Sequence, residues 1–155
     1  MKIIDIFNHK NGFEIIKDNP IWEEIESTFN SCNLELGIDK PKTIKSYISI
    51  RFNQLGWADR VKINPTSNLT INFTKNYVGI CFQIGNVART YADLLKIMYM
   101  YQNEIIKVGI FIVPSTNASK LMGMNYANYG RLVKEFILFK DIVIAPTVIL
   151  SLSNS

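Results

Sequence analysis

The sequence predicts an α/β domain in which a mixed central β-sheet is flanked by helices. Three observations carry this expectation. Residues 69–84 alternate apolar and polar side chains about a short polar turn, as a β-hairpin does. Residues 107–113 (KVGIFIV) and 141–150 (DIVIAPTVIL) are almost wholly apolar, as strands covered on both faces are. Around them, apolar residues recur at helical spacing.

In chain order, residues 1–40 read as an N-terminal helical segment. Asn19-Pro20 suits a helix start, because proline at the first helical position loses no hydrogen bond. Ile21, Trp22, Ile25, Phe29 and Cys32 then follow one helical face, and Glu23, Glu24 and Glu26 suit the positive end of its dipole. A second helix is expected over residues 41–55, with Ile44, Ile48, Phe52 and Leu55 inward and Gly56 ending it. Lys40, Lys42 and Lys45 at its start could meet phosphates, with a solvated helix edge as the default reading. In the hairpin, Leu69, Ile71 and Phe73 form one set and Val78, Ile80, Phe82 and Ile84 the other. Cys81 and Gln83 then share the opposite face of their strand, with Asn72 able to join them across the hairpin. Gly85-Asn86 ends that strand, and Val87, Tyr91, Leu94, Leu95 and Met98 mark a helix. Residues 125–139 form another expected helix, and Pro146 argues that the last strand is an edge or carries a bulge.

The 155 residues are one average domain's worth, so residues 1–155 are expected to form a single domain. Hydrophobic residues at 48% exclude a disordered chain. A net charge of +4 permits an anionic partner without demanding one, since the basic residues are scattered. No segment approaches the roughly 18 apolar residues of a membrane span, so no membrane partner is expected. The start MKIIDIFNHK lacks a secretory pattern, and Cys32 and Cys81 fit a reducing compartment, which together predict a cytoplasmic protein. With His9 as the single histidine, zinc sites of the Cys₂His₂ kind and histidine-clustered catalysis are excluded.

The stretch NFTKNYVGICFQIGNVAR, residues 72–89, bears on chemistry. Cleaving a phosphodiester with Mg²⁺ requires hard oxygen ligands, usually carboxylates, and a group that orients the attacking water. A hairpin supplies them with one residue on its first strand and an i, i+2 pair on its second. Residues 69–113 resemble the branch of the PD-(D/E)XK nucleases that contains the BglII-type restriction endonucleases. Its pattern reads roughly D-x-x-K-N-x-V-G-x-E-x-Q-x-G-N-x-A-R, then D-L-L-K on a helix, then an apolar strand ending V-P. Lys75, Asn76, Val78, Gly79, Gln83, Gly85, Asn86, Ala88 and Arg89 match in register, as do Asp93-Leu94-Leu95-Lys96 and Val113-Pro114. Flanking similarities at Gly56-Trp57 and Met122-Gly123 extend the resemblance to residues 42–151.

The resemblance implies a restriction-endonuclease-like core, Mg²⁺ as cofactor, double-stranded DNA as partner, and a homodimer or a pairing with a related nuclease. It implies catalytic positions at Asn72, Cys81 and Gln83, metal-ligand positions at Asn72 and Cys81, and DNA contacts from Lys75, Asn86, Arg89 and Lys96. The departures fall on the chemistry: the family has Asp at position 72 and Glu at position 81, and of the three only Gln83 is kept. Two lost anions and a soft thiol suit Mg²⁺ poorly, so no bound ion is expected. The expectation is an inactive or impaired homologue that acts as a DNA-binding or nuclease-partner module. One alternative is an active endonuclease, with an unconventional metal site or with its motif deliberately inactivated. The other is a protein-interaction or inhibitor module.

Overall fold

The computed structural model describes residues 1–154. It contains a six-stranded mixed sheet in the order β1-β6-β5-β4-β3-β2. The strands are β1 (Lys2–His9), β2 (Ala58–Lys62), β3 (Thr70–Lys75), β4 (Val78–Phe82), β5 (Val108–Pro114) and β6 (Thr147–Ser153). β4, β5 and β6 run parallel, while β2, β3 and β4 form an antiparallel meander at one edge and β1 closes the other.

The alternation of side chains sorts the sheet into two cores. Val78, Ile80 and Phe82 of β4, Val108, Ile110 and Ile112 of β5, and Val148, Leu150 and Leu152 of β6 face one layer. There they meet Ile21, Ile25 and Phe29 of α2 (Pro20–Asn30) and Ile44, Ile48 and Phe52 of α3 (Pro41–Gln54). The short α1 (Gly12–Ile16) and α5 (Thr116–Met122) add Ile16 and Ala118. On the other face Cys81, Phe111, Val113 and Ile149 meet Ile97 and Met100 of α4 (Ala88–Gln102) and Leu132 and Phe136 of α6 (Tyr129–Leu138). Each central strand is thus covered on both faces, which is why its sequence is apolar throughout.

The helix starts follow local chemistry. The Asn19 side chain accepts from the Ile21 N–H at 2.8 Å ahead of Pro20, and the Asn128 side chain accepts from the Arg131 N–H at 2.9 Å.

Three expectations are corrected. The N-terminal segment does not begin helical: residues 2–9 form β1, and pairing with β6 through Ile6 and Leu150 outweighs a pattern too short to show its period. The helix expected over residues 125–139 starts only at Tyr129, because Ala127 donates to the Gly85 carbonyl at 2.8 Å and Val87 to that of Asn125 at 2.8 Å. The last strand starts at Thr147 and lies inside the sheet between β5 and β1. Pro146 precedes its first paired residue, so it costs no ladder donor, and its carbonyl accepts from Gly109 at 3.0 Å.

Within the hairpin, Phe73 pairs with Ile80, but the expected alternation of β3 slips one step further on. Phe73 belongs to the α2–α3 core and Ile71 to the α4–α6 core. Arg60, between the β2 residues that pair with them, has a positive φ of 49°. Both strands are therefore distorted at Asn72.

Candidate active site

The slip at Asn72 leaves the Phe82 N–H beyond the end of the β3–β4 ladder at Phe73 and Ile80, and the Asn72 side chain takes it instead. Its Oδ1 accepts from Phe82 N at 2.8 Å. The oxygen at the family's Asp position thereby already serves the sheet backbone. Cys81 is fully buried in the α4–α6 core and does not line the adjacent cavity. Burial first, and the negative charge of Asp93 second, push its thiol well above the ordinary value, with Lys96 opposing. It is a neutral thiol with no histidine near it to activate it.

Gln83 lies on the same face as Cys81, beside α4. Its amide donates to Asp93 Oδ2 at 3.3 Å, and Asp93 Oδ1 accepts from Lys96 Nζ at 2.9 Å. All three are largely buried. Gln83 Oε1 is sealed from solvent without a partner, and a Cβ on Gly85 would stand 3.0 Å from it, so a small residue is needed there.

These groups border a cavity of about 330 Å³ lined by Lys45, Arg60, Asn72, Gln83, Arg89, Asp93 and Lys96, among others. It continues on one side past Lys42 and Asp59 and on the other past Asn86 and Asn125, with Lys45 bordering all three hollows. The cleft thus lies between α3, the end of the hairpin and the first turns of α4. Burial first, then the positive charge of Arg89, lower the pKa of the Lys45 ammonium, with Asp93 acting oppositely. Asp59 accepts a hydrogen bond from the Ser49 hydroxyl.

The sequence expectations therefore divide. Asn72, Gln83, Arg89 and Lys96 come together at one cavity, and Asn86 borders its extension. Asn86 also serves the helix start, its Oδ1 accepting from Ala88 N at 2.8 Å. Lys75 goes elsewhere: its Nζ lies 2.7 Å from Glu24 Oε1 and 2.6 Å from the Leu55 carbonyl. The other Glu24 oxygen accepts from Trp57 Nε1 at 2.7 Å, so Glu24 is held away from the cleft. Lys42 and Lys45, for which a solvated edge is the default expectation, both line the cleft, and so does Arg60, which no motif marks.

Mg²⁺, which the resemblance implies, does not fit these residues. Among the described residues no group of three or more His, Cys, Asp or Glu is arranged to hold a metal ion. Asn72 Oδ1 is engaged, Cys81 is shielded, and Asp93 is neutralised by Lys96. Gln83 Oε1 is a single neutral oxygen sealed from solvent, so the oxygens here fall far short of an octahedral set.

Comparison with known proteins agrees with the architecture. The sequence profile described as "Restriction endonuclease BglII/BglIII" matches residues 4–152. The crystal structure of restriction endonuclease BglII complexed with a DNA 16-mer is similar to this chain with a TM-score of 0.86 at 17% identity, covering 100% of this chain and 78% of that one. Free BglII gives 0.74 at 19% identity, covering 100% and 81%. No curated protein matches the chain by sequence. The profile reaches β1, well before residue 42, and takes in part or all of every strand. The chain belongs to the BglII/BglIII restriction endonuclease family.

Proposed function

We propose that this chain binds double-stranded DNA in the basic cleft and does not cleave it with Mg²⁺. It would act as an inactive relative of BglII-like endonucleases, a DNA-binding or nuclease-partner module, alone as a homodimer or paired with a related nuclease. One observation carries the reading: the side chains at the family's ligand positions are consumed internally, while Lys42, Lys45, Arg60, Arg89 and Lys96 line the cleft beside them. A carboxylate-lined hollow attracts a divalent cation, whereas this one repels it and attracts a phosphate backbone. The similarity to BglII held on a DNA 16-mer supports the choice of duplex DNA.

The test is incubation of the purified protein with supercoiled plasmid in Mg²⁺ or Mn²⁺, beside a gel-retention assay with duplex DNA. Intact plasmid and salt-sensitive retention are expected. Nicking or linearisation that disappears in Gln83→Ala overturns the reading in favour of an active endonuclease. Absence of any retention favours a protein-interaction module.

A further inference from the structure

The cavity has the reverse charge of a metal site, and its cations are unusually free. Lys45 of α3, Arg60 of β2 and Arg89 and Lys96 of α4 meet there with one carboxylate, Asp93. Lys96 is committed to Asp93 at 2.9 Å. Among the described residues, Lys45, Arg60 and Arg89 make no ion pair. They come from three elements, so the fold holds like charges together that would separate in an open chain. Lys45 registers this in part, because its own burial first and Arg89 second favour loss of its proton, with Asp93 opposing. An anion in the cavity relieves that repulsion, and a tetrahedral phosphate offers oxygens in several directions to donors arriving from different sides.

We propose that this cavity seats a phosphate group directly on Lys45, Arg60 and Arg89, with no divalent cation between protein and phosphate. The site has exchanged a bridging metal for protein cations, so binding requires no Mg²⁺, and added Mg²⁺ competes for the phosphate. No bond is made or broken. The inference rests on the proposed function for the source of the phosphate, a DNA backbone, but the seat itself needs only the phosphate chemistry.

Inorganic phosphate is the probe. Calorimetric titration into the full chain in EDTA, against chloride at matched ionic strength, is expected to show saturable binding. Lys45→Gln and Arg89→Gln should each weaken it at least fivefold, and replacing EDTA with Mg²⁺ should not tighten it. Arg89 is exposed, so its variant folds even if Lys45→Gln does not, and far-UV circular dichroism checks both. Absence of phosphate heat, unchanged affinity in a folded variant, or binding only with Mg²⁺ overturns the proposal. Duplex DNA separates the two readings. Phosphate binding without DNA retention keeps the seat and rejects the DNA reading. DNA retention that is unaffected by Arg89→Gln, with no phosphate binding, rejects the seat alone.

Discussion

Asn72 occupies a position where the family's Asp would offer a carboxylate, and its amide oxygen instead accepts the Phe82 N–H at 2.8 Å. Asn72→Ala leaves that buried N–H without a partner and is expected to cost about 1–3 kcal/mol in urea unfolding. Asn72→Asp keeps an acceptor in place and should leave the urea midpoint nearly unchanged. If both variants behave alike, the bond is unimportant. Cys81 yields a pH prediction. Its folded-state pKa lies well above its ordinary value, chiefly through burial. The neutral thiol's contribution is therefore complete below the unfolded value of about 8.5 and declines as pH rises towards the folded one. The urea midpoint should fall more steeply above about pH 8.5 in the native sequence than in Cys81→Ala. Both cysteines are buried and should resist a thiol reagent until the protein unfolds.

Among the elements, α2 and the hairpin are tied through one residue. Glu24 bridges Lys75 on β3 and the indole of Trp57, both at 2.7 Å. Trp57 stacks edge-on with Phe52, whose ring also contacts Phe29 and Phe73, so the link joins α2, α3 and β3. Glu24→Ala removes two charge-assisted bonds and leaves a half-buried Lys75 with only the Leu55 carbonyl as partner, which should cost about 1–3 kcal/mol. Because Glu24 is turned away from the cleft, DNA retention per folded molecule should not change, and a large loss would place Glu24 in the binding site. The elements also show how legible the sequence was. The existence of the hairpin, though not its facing at Asn72, and α2, α3, β5 and the start of α4 followed from period and caps, since local physics sets them. β1 and the segment 123–127 did not, because both are held by partners distant in the chain: β6 for the first, residues 85–87 for the second.

For the whole molecule, a net charge of +4 is modest, and its scatter along the chain concealed its concentration in space. Folding gathers Lys42, Lys45 and Arg60 from before the hairpin with Arg89 and Lys96 from after it. A cleft of this kind should give an affinity whose logarithm falls linearly with log salt, with a slope of roughly −0.9 per phosphate neutralised. Removing Arg89 should flatten that slope by about one. Retention unaffected by salt between about 50 and 200 mM would exclude backbone contact. Among the described residues, no helix is long and apolar enough to cross a membrane.

By itself the sequence determined the two-sided burial of the central strands, the presence of the hairpin, and the loss of both family carboxylates. Each of these depends on residue identity and a period of two or 3.6. Only the tertiary structure decided that Asn72 turns inward, that Lys75 serves Glu24, and that five scattered cations share one cleft. Those outcomes depend on which surfaces meet, and charge and hydrogen bonding act across space with no regard for separation along the chain.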